Sequence, residues 1–295
     1  MKKFILLLIL LSHTYLSGSK EVSQGIEDMH VITNAFYGQD IDKINYKDAK
    51  VAMDIWIKKM ASKLGASSTL LFFKDFDAVK KAKEEGSIDT LILSANSYLQ
   101  HLEYCKAEFS QGWMKLEKDG KPFFRFVILR RKDLPSKKSY TMEYYRYSKI
   151  SRTVAEVYGF ERGIAFSFKA VAKPSKPVLD IFFKKADYGI VKEQSWLLMQ
   201  ELNPQLKEDI ELVYTSDRIF VHIITLFSKH LSKKDKETYI KAIEAINETP
   251  EGKQLMELFK FNGLTKMGDS QFQEMENFYK RYQSLKQLHE KQNGE

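Results

Sequence analysis

Cysteine occurs once in the 295 residues, as Cys105. A lone thiol excludes an intrachain disulfide, and Cys105 lies too deep in the chain to be the lipid-bearing residue of a lipoprotein. It reads instead as a small buried hydrophobe. No stretch holds the roughly 20 consecutive apolar residues that a membrane-spanning helix needs. Gly-x-Ser-x-Gly, His-Glu-x-x-His and the phosphate-binding P-loop are all missing, so the sequence offers no catalytic residue and implies no cofactor. Also missing are an RNA-recognition aromatic motif, zinc-finger spacing and a glycine-rich nucleic-acid loop. The Lys and Arg residues are scattered among Glu and Asp, so nucleic acid is not expected as a partner. His101, Glu103 and Cys105 stand close in sequence but lack a fourth ligand for zinc. Asp40 and Asp42 open like a calcium loop without the glycine and glutamate that should follow. No metal site is expected.

What is present begins at the N-terminus. Lys2 and Lys3 precede an apolar run over residues 4–11, and Ser12, Thr14, Ser17, Gly18 and Ser19 follow. A basic start, a short apolar core and small residues near a possible cut form a secretory signal. Residues 1–18 are therefore expected to be removed, giving a soluble periplasmic protein. An uncleaved membrane anchor is the alternative. The formal charge is +8, two of it carried by Lys2 and Lys3, a balance compatible with an anionic ligand. With 43% hydrophobic and 29% charged residues the rest of the chain is globular rather than disordered.

Periodicity then gives the fold class. Residues 30–36 read as a strand. Ala49, Ala52, Met53, Trp56, Ile57, Met60, Ala61 and Leu64 form the apolar stripe of an amphipathic helix. Residues 69–73 are a second strand, residues 76–85 a helix closed by Gly86, and residues 89–93 a third strand. Alternation at this spacing implies parallel strands with crossover helices, whose ligands sit beyond the carboxyl ends of the strands. Tyr37 and the turn from Ser94 to Tyr98 occupy two such ends. Farther on, residues 113–117 and 123–129 suggest a hairpin around Asp119-Gly120. Helices are expected at 151–158, 178–184 and 195–202, with strands at 164–168 and 188–191. Strands follow at 210–214 and 220–227, then helices at 234–247, 250–259 and 272–290. Thr249-Pro250 is an N-cap followed by a first-turn proline. Tyr144-Tyr145-Arg146-Tyr147 suits either a cleft lining or the half-buried edge of a strand.

Three stretches, taken together, resemble the substrate-binding proteins of phosphate, phosphite and phosphonate ABC transporters, the PhnD-like group. The first runs from Phe76 through Gly86 and Asp89 to Tyr98 and Leu99. The second runs from Ser175 through Asp187 to Gly189. The third joins Leu202-Asn203-Pro204-Gln205 to Thr249-Pro250-Glu251-Gly252 and Phe259. The resemblance implies an α/β, two-lobed type 2 periplasmic-binding fold, each lobe a mixed sheet flanked by helices, with a helical C-terminal tail. Lobe one would comprise residues 25–111 and 227–295, and lobe two residues 112–226. It implies a non-enzymatic monomer that captures a small anionic or zwitterionic solute between the lobes for a membrane ABC permease. The alternative is a sensor partner of a membrane histidine kinase or diguanylate cyclase.

By position, Tyr98 matches a cleft tyrosine of lobe one and Asp187 a cleft carboxylate of lobe two, facing each other. Tyr37 falls near an aromatic ligand contact. Ser151, Arg152 and Thr153 fall where the family cradles its anion at a helix N-terminus. Tyr98 also suits a core aromatic, and Asp187 a brace within lobe two. Two departures leave the ligand open. The glycine of the family's anion loop is missing from residues 147–153, and Asn96 replaces the usual proline.

Overall fold

In the computed structural model, residues 31–38, 67–115, 123–220, 224–259 and 262–293 are described, with positions 51, 54, 55, 57, 58, 61 and 62. The expected signal segment, its cleavage site and the Asp119-Gly120 turn lie outside them. β1 (Val31–Tyr37) runs parallel to both of its neighbours, β2 (Ser67–Phe73) and, after α1 (Phe76–Glu84), β3 (Thr90–Leu93). Every residue of β3 is buried, as suits a parallel strand covered on both faces. α1 starts at Asp75, whose carboxylate accepts from the Asp77 N–H, and stops before Gly86, held at φ 71°. Ile57, on the expected amphipathic helix, packs against Phe36, Leu70 and Ile92.

β1 carries a fully buried asparagine, Asn34. Its amide nitrogen donates to Ser68 Oγ at 2.7 Å and to the Thr69 carbonyl at 3.1 Å. Its oxygen accepts from Thr90 Oγ1 at 2.7 Å and from the Tyr239 hydroxyl at 2.8 Å. One satisfied side chain thus ties together three strands and a distant helix, and fixes which residues of β1 face inward.

The chain continues through α2 (Ala95–Gln100), α3 (Leu102–Glu108) and β4 (Phe109–Lys115), then leaves the first sheet. β5 (Phe123–Phe124), β6 (Phe126–Arg131), β7 (Tyr140–Tyr145), α4 (Lys149–Arg162), β8 (Phe166–Val171), α5 (Lys176–Phe182) and β9 (Tyr188–Lys192) follow. After them come α6 (Glu193–Leu202), α7 (Leu206–Asp209) and β10 (Ile210–Thr215). The return passes through β11 (Ile219–Phe220) into β12 (Ile224–Ser228). α8 (Lys233–Glu248), α9 (Pro250–Phe259), β13 (Leu264–Lys266) and α10 (Asp269–Asn293) complete the chain.

Two principal sheets result. The first has the order β13-β4-β12-β3-β1-β2 and the second β10-β6-β9-β7-β8. β5 and β11 form a two-stranded ribbon where the chain passes between them. The expected hairpin is thereby corrected. β4 pairs with β12 and β13 in the first sheet, whereas β6 pairs with β9 and β10 in the second. A turn-like Asp-Gly between two apolar runs indicates reversal, but here those runs serve different cores. Gly112 is needed in β4 because a Cβ there would lie 0.9 Å from the Thr225 carbonyl oxygen of β12.

Each sheet has its own core. Tyr37, Leu91, Leu93, Tyr98, Leu99, Cys105 and Phe109 lie in the first. Ile128, Met142, Val154, Val157, Tyr188 and Ile190 lie in the second. The long α10 serves both: Phe272 and Met275 bury against the first core, Phe278 against the second. Its amphipathic stripe therefore holds the two halves together.

Candidate functional site

The parallel strands of each sheet end on the side where the chain crosses between them. β3 ends at Leu93 and opens into α2, while β7 ends at Tyr145 and opens into α4. Ile150, in the first turn of α4, packs against the first core as well as its own. The start of α4 is therefore set against the other half. α10 spans the same place, touching α2 through Tyr98 and α4 through Tyr282.

Of the residues expected there, Tyr98 lies just after β3, on α2, but its side chain turns inward. It is 4% exposed, its ring lies edge-on to Phe272 at 5.5 Å, and its hydroxyl donates to Glu276 Oε1 at 3.0 Å. Burial, followed by the Glu276 charge, pushes its pKa far above the ordinary phenol value. Glu276 is itself buried and accepts from Lys106 Nζ at 2.6 Å. Tyr98 thus latches α2 to α10, the core-aromatic reading. Tyr37 is likewise buried, edge-on to Phe76 at 5.2 Å and to His101 at 5.9 Å.

Asp187 stands apart from the others. It precedes β9 and accepts from the Thr141 N–H at 2.9 Å and from Lys137 Nζ at 2.6 Å. Thr141 lies at the beginning of β7, whereas Ser151 and Arg152 follow the end of that strand. At about 3.3 Å per residue, the four steps from Thr141 to Tyr145 separate the two places by about 13 Å along the strand. Asp187 therefore does not face Tyr98 across a cleft. It braces the opposite end of the second sheet, because the amino end of parallel strands presents N–H groups that need an acceptor.

Ser151, Arg152 and Thr153 do sit in the first turns of α4, yet their side chains are engaged locally. Ser151 Oγ donates to the Ser148 carbonyl at 2.6 Å and Thr153 Oγ1 to the Lys149 carbonyl at 3.5 Å. Arg152 Nε donates to Glu156 at 2.9 Å, and its guanidinium lies 5.1 Å from the centre of the Phe168 ring. The polar atoms left over are different ones. Ser148 Oγ, on the residue that begins α4, is buried and among the described residues has no hydrogen-bond partner. Asn96 Nδ2, in the first turn of α2, is in the same condition. Both lie in strand-to-helix turns at carboxyl ends of parallel strands, the place where such sheets hold ligands. Ser148 makes no side-chain cap, so the N–H groups and positive dipole end of α4 are not consumed by it. Residue type alone could not single out Ser148 from its hydroxyl neighbours, since back-bonding to the preceding turn depends on rotamer.

Residues 45–272 match the family model described as "ABC transporter, phosphonate, periplasmic substrate-binding protein". The chain belongs to that family. Phosphonate-type binding proteins are periplasmic solute receptors, not enzymes, and they serve a small-molecule ligand and a membrane permease. Solved structures share the architecture at low identity. The XAC2383 protein of Xanthomonas citri, solved with chloride ion, is 12% identical over 88% of this chain and 99% of its own, with a TM-score of 0.61. PhnD1 of Prochlorococcus marinus, solved with methylphosphonate, is 13% identical over 86% and 98%, with a TM-score of 0.53. A phosphonate-transporter binding component of Pseudomonas aeruginosa is 14% identical over 87% and 88%, with a TM-score of 0.52. The fold is the two-lobed type 2 periplasmic-binding fold. A comparison with curated proteins found no match.

Proposed function

We propose that this chain, as an exported monomer freed of residues 1–18, captures a small anionic or zwitterionic solute for an ABC permease. The solute binds between a lobe of residues 25–111 and 227–295 and a lobe of residues 112–226, at the turns that follow β3 and β7. The observation that carries this reading is the pair of unspent polar atoms, Ser148 Oγ and Asn96 Nδ2, one from each sheet. A buried polar atom without a partner costs about 1–3 kcal/mol, which a ligand would recover. The α4 N-terminus beside Ser148 favours an acidic group on that ligand. PhnD1 was solved with methylphosphonate, which makes a phosphonate-like oxyanion the first chemistry to try.

Calorimetric titration of the full chain with methylphosphonate and with inorganic phosphate tests the reading. Loss of one hydrogen bond to a charged group in Ser148→Ala or Asn96→Ala should weaken binding by about tenfold or more. Melting temperatures should stay near the parent's. Unchanged affinity in both folded variants would place the solute elsewhere.

A further inference from the structure

A cavity lies where the two crossing segments meet α10. It has a volume of about 580 Å³, and its walls include Arg125, Ser216, Arg218, Glu274, Asn277 and Arg281. None of the strand-end and helix-start residues described above lines it. Its size is that of a small-molecule site, which typically spans 300–1,000 Å³.

Three guanidinium groups converge there, and they are unequally satisfied. Arg281 is occupied, donating to Glu161 on α4 and to Asp217. Arg218 lies over the Phe123 ring at 4.6 Å, and among the described residues it has no carboxylate partner. Arg125 is half-buried, and among the described residues its guanidinium has neither an acceptor nor an ion-pair partner. Register explains why the last two meet. Ile219 pairs with Phe124 and Phe220 with Phe123, so one step beyond the ladder Arg218 stands opposite Arg125. Like charges directly across two strands repel. Nothing in the packing of the β5–β11 ribbon calls for this juxtaposition, since its inward residues Phe124 and Ile219 are already buried.

We propose that this cavity is a second ligand site, for a small anion bearing at least two phosphate or carboxylate oxygens, held between Arg125 and Arg218. A guanidinium fork on each side suits oxyanions, which accept two parallel N–H bonds from one arginine. Asn277 adds an amide from α10, and Glu274 opposes negative charge at the mouth. The walls come from both crossing segments and from α10, so an occupant ties three separate stretches of chain together.

The test is calorimetric titration of the full chain with inorganic pyrophosphate and with citrate at about 0.15 M salt, where long-range attraction to a basic protein is screened. Arg125→Gln and Arg218→Gln should each weaken pyrophosphate at least tenfold, about 1.4 kcal/mol. Glu274→Gln should tighten it. Lys173→Gln, on an exposed turn of the second sheet, and Ser148→Ala should leave it unchanged. Arg218 is exposed, so its variant keeps the test valid if Arg125→Gln fails to fold. The proposal is overturned if the parent binds neither anion, if Lys173→Gln weakens binding as much as Arg218→Gln, or if only Ser148→Ala abolishes it.

Discussion

Replacing Tyr98 by phenylalanine deletes one oxygen and leaves the ring against Phe272 in place. No cavity forms, so the effect isolates the bond to Glu276. Glu276 is 4% exposed and keeps Lys106 on its other oxygen, but Oε1 loses its donor. A hydrogen bond to a charged group contributes about 1.5–3 kcal/mol. In a domain of this size each kcal/mol moves the melting temperature by about 2–4 °C, so a loss near 2 kcal/mol lowers it by about 4–8 °C. Differential scanning calorimetry at pH 7 measures the shift, and titration with methylphosphonate on the same samples separates a latch from a ligand contact. A melting shift under about 1 °C would refute the latch. Lost binding with an unchanged melting temperature would return Tyr98 to the cleft.

Asp187→Ala strips the acceptor from the Thr141 N–H and from Lys137. It should cost about 1–3 kcal/mol in urea unfolding while leaving solute affinity unchanged; weaker binding by a fully folded variant would contradict the brace. Asn34→Ala should cost more, about 3 kcal/mol or above, because Ser68, Thr90 and Tyr239 all lose a buried partner; a cost below about 1 kcal/mol would show that the network is dispensable. Glu143 is fully buried in β7, and burial raises its pKa although Lys169 Nζ donates to it at 2.7 Å. An acid with a raised folded pKa stabilises below its unfolded value and loses that contribution as pH rises through the folded one. Glu143→Gln should therefore gain melting temperature relative to the parent as pH climbs upward from the ordinary carboxylate range, and a constant difference across the titration would falsify the assignment. Neighbouring Asp180 is shifted downward: burial opposes the shift but is outweighed by Lys176 and Glu143, so its own window lies below this range.

Much of the fold was legible because its determinants are local. The β1-to-β3 unit announces itself by strand-length apolar runs, a helix stopped by Gly86 and a third strand apolar over Leu91, Ile92 and Leu93. Thr249-Pro250 starts α9 as its residues require, with Thr249 Oγ1 accepting from the Gly252 N–H at 3.1 Å. The failures are non-local. The apolar runs of β4 and β6 look like hairpin arms because nothing in either strand records which sheet it will join. β13 is three residues long and exists only because β4 offers it an edge. α2 and α3, short and joined at His101, lack the length over which helical periodicity is recognisable.

The site was legible in its address and not in its atoms. Strand-to-helix turns at carboxyl ends follow from element order, which points to residues 94–98, while the family resemblance points to residues 147–153; both stretches stand at the ends of parallel strands. Choosing among the hydroxyls, amides and charges in those turns depends on which groups are already committed, and commitment is decided by partners far away in sequence. Tyr98 is taken by Glu276, 178 residues later, and Arg152 by Glu156, which also receives Tyr282 from α10. Asp187 was misplaced for a related reason: matching by position ignores strand direction, and the residue before a parallel strand lies at the opposite end from the residue after it. The free atoms are found by subtraction, once every other polar group in the turn has been assigned a partner. By the same subtraction Ser148 and Asn96 come forward at the lobe junction, and Arg125 and Arg218 at the crossing ribbon.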